Sequence, residues 1–141
     1  DPRLGQAWSN GHFECKGHVT GELTLRGKTY KVDCYDGMDH SWGPRPEHGT
    51  RSVSWISLNF GEELAFHLAV PMAIERGEVR YDPLRFGFVV ERGEVHGLVE
   101  AQVSATRVDM LPTGNHIRIK DVRGNVLRAD RGRRGGRRRG G

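Results

Sequence analysis

Apolar and polar side chains alternate along most of this chain, and Arg-Gly pairs interrupt the alternation at short intervals. That pattern limits the fold more than any other feature. In VTGELTLRGKTYKVDC, a two-residue turn at Arg26-Gly27 pairs Leu25 with Lys28, Leu23 with Tyr30, Gly21 with Val32 and Val19 with Cys34. Val19, Leu23, Leu25, Tyr30, Val32 and Cys34 then share one face. The other face sets Thr24 opposite Thr29, Glu22 opposite Lys31 and Thr20 opposite Asp33. Side chains on a strand repeat every second residue, so matched polarity on both faces predicts an antiparallel hairpin.

The same test succeeds further on. SWISLNFGEELAFHLAV loops at Gly61–Glu63 and pairs Phe60 with Leu64, Leu58 with Phe66 and Ile56 with Leu68. Its reverse face holds Trp55, Ser57, Asn59, Ala65, His67 and Ala69; neither face is strongly charged, so both are covered or one lines a cavity. RFGFVVERGEVHGLVEAQV turns at Arg92-Gly93, with Val90 opposite Val95 and Phe86 opposite Val99. A fourth hairpin, HIRIKDVRGNVLRA, turns near Arg123-Gly124. Leu64–Ile74 comes nearest to a helix, but Pro71 interrupts it. The pentapeptide ERGEV at Glu75–Val79 and Glu91–Val95 reads as repeated turn chemistry, since nothing around it repeats. Regular hairpins with glycine turns predict an all-β fold, an antiparallel barrel or sandwich, over residues 1–130.

Charge divides the chain in two. Its net +4 comes from one end, where RGRRGGRRRGG over residues 131–141 holds six arginines and no apolar side chain. The remaining sixteen basic residues face 18 acidic ones, which argues against a basic nucleic-acid-binding body. The tail is expected to be disordered and to offer Arg133, Arg134, Arg137, Arg138 and Arg139 to RNA or another polyanion. An accidental basic end is the alternative. Cys15 and Cys34 are too few for a disulfide framework and fit two thiols in a cytoplasmic protein. The longest apolar run, Leu68–Ile74, is far short of the ~20 residues of a membrane span.

The segment YDGMDHSWGPR follows the second strand of the first hairpin, with turn residues at Gly37 and Gly43-Pro44. Seven histidines form neither HxH nor HExxH; Asp39, His40, Glu47 and His48 could converge only around Pro44 and Pro46, so neither metal nor cofactor is expected. Ser41 lacks a nucleophile elbow and the tail lacks a P-loop. His18, opposite Tyr35, fits a surface pair.

Together, VTGELTLRGKTYKVDCYDGMDHSWGPRPEHG, WISLNFGEELAFHLAV and FGFVVERGEVHGLVEA resemble the calycin-like superfamily of lipocalin-type barrels. Within it they resemble AttH-like and carotenoid 1,2-hydratase-related bacterial proteins. The D-H-S-W-G-x-R core carries the resemblance, which covers roughly Gly11–Arg128. It implies a lipocalin-like barrel or half-barrel that corresponds to the second half of a longer protein. A first barrel half, or a homodimer partner, is then expected beside an apolar small molecule such as a terpenoid. It further implies hydration, isomerisation or cyclisation of that ligand. Asp39 would protonate an alkene, His40 and Trp42 would form the His-x-Trp pair, and Tyr35, Arg45, Trp55 and His67 would line the ligand. The Tyr-x-Asp of the hydratases has its nearest counterpart in Phe66-His67-Leu68-Ala69, where no acid follows. The competing reading is architectural: Asp39 satisfies turn N–H groups, Trp42 plugs the barrel end, and Arg45 stacks on it. The domain would then be a carrier or an interaction module.

Overall fold

A computed structural model of the chain describes residues 11–43, 52–109 and 111–131. Its strands are β1 (Gly11–Leu25), β2 (Lys28–Trp42), β3 (Val53–Asn59), β4 (Leu64–Glu75), β5 (Glu78–Tyr81), β6 (Phe86–Glu91), β7 (Glu94–Val108), β8 (Leu111–Asp121) and β9 (Val126–Arg131). No helix occurs among the described residues. β1 and β2 make a two-stranded ribbon, while the larger antiparallel sheet runs β3-β4-β6-β7-β8-β9, with β5 added to the far end of β4. Among the described residues the sheet does not close into a barrel; the fold is all-β and antiparallel, built from hairpins, and fits a half-barrel or a sandwich.

Turn chemistry fixes the registers. Arg26, Arg76 and Arg92 have φ of 51°, 53° and 51°, and the glycines after them have 74°, 82° and 83°. Two successive positive φ values define the type I′ loop, whose twist matches that of the strands it joins. The first hairpin therefore holds the expected pairing, from Leu25–Lys28 through Val19–Cys34, and continues without a shift to Gly11–Trp42. The second pairs Leu58 with Phe66 and Ile56 with Leu68, also as expected.

One feature differs from the sequence reading. Phe86 lies opposite Ala69 on β4, not opposite Val99, because the β6–β7 ladder stops at Phe88–Gly97. An irregularity between Leu98 and Glu100 accompanies the departure of β7 toward β8. Leu64–Ile74 is extended throughout, and Pro71 falls where β4 changes partner from β6 to β5. A residue without an N–H is tolerated there, because the ladder needs no donor from it on that side.

One face of the sheet carries the apolar core: Phe66, Leu68 and Val70 from β4, Val89 from β6, Leu98 from β7, and Ile117 and Ile119 from β8. Ile56 and Leu58 at one edge and Leu127 and Ala129 at the other pack against the same cluster. Both edges reach one core only if the sheet curls around it. Asp121 is buried at the rim of this face, where its carboxylate accepts from the backbone N–H groups of Arg123 and Asn125, both at 2.9 Å, and from Arg123 Nε at 2.8 Å. Burial pushes its carboxyl up, but these hydrogen bonds and the Arg123 charge together hold it below the usual carboxylate range.

The ribbon inverts the usual arrangement. Its apolar face is the open one: Val19, Leu23, Leu25 and Tyr30 are all exposed. The polar face, at the end holding His12, Glu14 and Lys16, lies against the outer face of the sheet. Lys16 Nζ there donates to Ser57 Oγ.

Candidate functional site

Between ribbon and sheet the structure assembles a polar cluster inside an aromatic frame. On β4, side chains alternate between the core (Phe66, Leu68, Val70) and the outer face (Ala65, His67, Ala69). His67 is wholly buried on that outer face. Trp55 on β3 and Phe86 and Phe88 on β6 surround its ring, with centroid separations of 4.9, 5.8 and 5.7 Å. Trp55 also meets Phe86 at 5.2 Å, and His12 from β1 edges onto Trp55 at 5.5 Å.

Glu14 sits at the centre. Its Oε1 accepts from Trp55 Nε1 at 2.6 Å, and it lies 3.4 Å from His67 Nε2 and 3.5 Å from His12 Nε2. The side chains of His12 and Glu14 are only 6% and 8% exposed. Asp39 faces Glu14 across the β1–β2 ladder and is exposed, and its carboxylate, the Glu14 carboxylate and His12 offer donor atoms within 4.8 Å of one another. Neither ring nitrogen of His67 has a hydrogen-bond partner among the described residues.

The electrostatics follow from burial. Desolvation, reinforced by Lys16 and His12 and opposed by Asp39, lowers His67 to about 4, so the ring is neutral at pH 7. Desolvation also raises the Glu14 carboxyl; the nearby Asp39 adds to this, while the Trp55 hydrogen bond, His12 and Lys16 work against it. Burial likewise lowers the Lys16 ammonium.

Two grooves flank the cluster. One, of about 640 Å³, has Phe13, Phe86, Phe88 and Val99 among its walls, with His12 and Glu14 at its polar side. The other, of about 460 Å³, lies toward the loop between β3 and β4 and has Lys16, Tyr35, Asn59 and Glu62 on its walls. Tyr35 stacks on His18 at 4.9 Å, as the register predicts, and its hydroxyl is pushed up by burial and by the carboxylate of Glu62.

The expected site residues separate into groups. Trp55 and His67 come together in the aromatic frame. Asp39 reaches the cluster through its side of the ribbon. His40 and Trp42, one and three residues further along the strand, face the opposite way from Asp39; their rings stack at 5.6 Å, and Phe13 lies 5.8 Å from His40. Tyr35 belongs to the second groove. Arg45, Glu47, His48 and the arginines Arg133, Arg134, Arg137, Arg138 and Arg139 lie outside the described residues.

His12 and Glu14 are the central residues that motif reading passes over. The signal for them is the first hairpin's own register, which sets Glu14 opposite Asp39 when carried past Val19–Cys34. The polar side chains on the larger groove's walls are those of Glu14 and His12, and no helix of the described residues is long and apolar enough to cross a membrane.

Fold and site together define an all-β antiparallel domain whose ribbon covers a buried histidine–carboxylate cluster. The chain belongs to the family described as Domain of unknown function (DUF7064), which matches residues 2–135. No curated protein and no solved structure gave a match.

Proposed function

We propose that this protein binds an apolar, lipid-like small molecule in the groove between β1 and the β6–β7 hairpin. The observation that carries the reading is the composition of that groove. Phe13, Phe86, Phe88, Leu98 and Val99 supply apolar surface, and the polar groups converge at one place, around Glu14 and His12. Small-molecule sites are built in this way, with an apolar wall for affinity and a few polar atoms for orientation. The resemblance to calycin-like and hydratase-related barrels supports a terpenoid or a comparable lipid as the ligand class. The proposal stops at binding. Protonating an alkene needs an acid in a desolvated position, and Asp39 is exposed while neither His40 nor Trp42 is among the groove's walls.

Native mass spectrometry of the full chain after incubation with a bacterial lipid extract tests this directly. An apolar adduct is expected on the wild-type protein. Val99→Arg projects a cation into the groove from a half-exposed position and should remove the adduct without altering the circular dichroism spectrum. An adduct that persists in Val99→Arg, or none on the wild type, defeats the proposal.

A further inference from the structure

Glu14 and His67 pose a problem that the groove's apolar wall does not solve. A nearly buried carboxylate usually collects several donors, and a fully buried imidazole usually donates from one nitrogen and accepts at the other. Here the Glu14 carboxylate receives one short hydrogen bond, from Trp55. His67 presents Nε2 at 3.4 Å from Glu14 Oε1, with no hydrogen bond at either ring nitrogen among the described residues. An unmet buried donor or acceptor costs about 1–3 kcal/mol. Hydrogen-bonding capacity is thus left over where the two side chains meet, and a bound group could take it up.

We propose that His12, Glu14, Asp39 and His67 form a binding site for a divalent transition-metal ion, with zinc as the best match. Geometry favours three of the four: among the described residues His12, Glu14 and Asp39 have donor atoms within 4.8 Å of one another, and His67 would close on them from beside Glu14 as the ion binds. A tetrahedral zinc ion with bonds of about 2.0–2.1 Å holds neighbouring N and O donors roughly 3.3 Å apart. Glu14 Oε1 lies 3.4 Å from His67 Nε2 and 3.5 Å from His12 Nε2. Asp39 brings a second carboxylate within 4.8 Å of the His12 and Glu14 donor atoms. Two imidazoles and two carboxylates balance a dication in charge, and imidazole donors favour zinc and its neighbours over calcium or magnesium, which take all-oxygen shells. The Trp55 N–H bond to Glu14 is the kind of outer contact that orients a ligating carboxylate. Lys16 is the opposing charge nearby, and its ammonium is engaged by Ser57.

Ligands come from both strands of the ribbon and from the sheet, so the ion would pin the two together. The inference does not depend on what the apolar groove holds. It also revises the reading of the histidines: the metal set is not Asp39 with its sequence neighbours, but Asp39 with residues brought to it across the β1–β2 ladder and by the packing of ribbon on sheet.

The test is a zinc titration of the chelator-stripped full chain against a chromophoric competitor. One equivalent of zinc should bind, and Glu14→Gln, His67→Gln and Asp39→Asn should each weaken it by about tenfold or more. His18→Ala removes a histidine that is paired with Asp33 elsewhere on the ribbon, and it should leave the affinity unchanged. Asp39 is exposed, so its variant still decides the matter if the buried-site variants fail to fold. Wild-type affinity no greater than that of Asp39→Asn, or a loss as large in His18→Ala, overturns the site.

Discussion

The two faces of β4 are equally buried and differently built. Phe66, Leu68 and Val70 point into a closed apolar cluster fed by both edges of the sheet. Ala65, His67 and Ala69 point the other way, under a ribbon that presents His12, Glu14 and Lys16. The inner face satisfies every requirement of a stable core with side chains that ask for no hydrogen bond. The outer face buries a carboxylate and an imidazole whose needs are incompletely met among the described residues. One strand thus separates the part that holds the fold together from the part where we propose that binding occurs. Burial alone does not tell the two apart; unmet hydrogen-bonding capacity does.

Substitutions can break or sharpen that contrast. Leu68→Ala opens a cavity in the inner cluster and should cost about 2–5 kcal/mol in chemical denaturation. It should leave the zinc affinity of the folded fraction unaltered, since its side chain faces away from Glu14. Gly87→Ala is the next largest. A Cβ there would stand 2.7 Å from the His67 carbonyl oxygen and 2.9 Å from Leu98 Cδ1. Backbone cannot swing aside, so a loss of about 1–3 kcal/mol is expected. Asp121→Asn tests the polar rim of the core through pH. Its folded carboxyl is held low, so it stabilises the protein above its ordinary value of 3.8 and that contribution is lost as pH falls through and below that value. The variant should melt lower at pH 7 and show a flatter acid limb.

His67→Leu should behave in the opposite sense. Replacing a buried, unsatisfied imidazole by an apolar side chain of similar bulk should stabilise the metal-free protein, by about 1 kcal/mol, while zinc binding disappears. A loss of stability instead would mean that His67 belongs to the core and that the contrast between the faces is false. The smallest effect is at the turns. Arg92→Asn puts a residue tolerant of positive φ where Arg92 holds 51°, and should raise stability by a few tenths of a kcal/mol with no effect on either face.

The sequence was most legible where structure is local. Type I′ turns at Arg-Gly pairs set the register, and alternation then assigned every side chain of the first two hairpins to a face. What alternation cannot say is which face will be covered. On the ribbon, the apolar Val19, Leu23 and Leu25 are exposed while Glu14 is nearly buried. That outcome depends on how the ribbon meets the sheet, a contact between residues about forty positions apart in the chain, such as Lys16 and Ser57. Phe86 was misassigned for a related reason, because the irregularity at Leu98–Glu100 leaves no mark in an apolar run. Of the cluster's residues, Asp39, Trp55 and His67 were named through the family resemblance. His12 and Glu14 carry no motif and emerge only when the register is followed to the end of the ribbon.

X-ray absorption at the zinc edge of the loaded full chain tests the central claim most directly. A first shell of nitrogen and oxygen donors at about 2.0–2.1 Å, with the outer-shell scattering of two imidazoles that drops to one in His67→Gln, is the expected result. A shell of oxygen alone, or imidazole scattering unchanged in His67→Gln, would contradict the account of the outer face of β4.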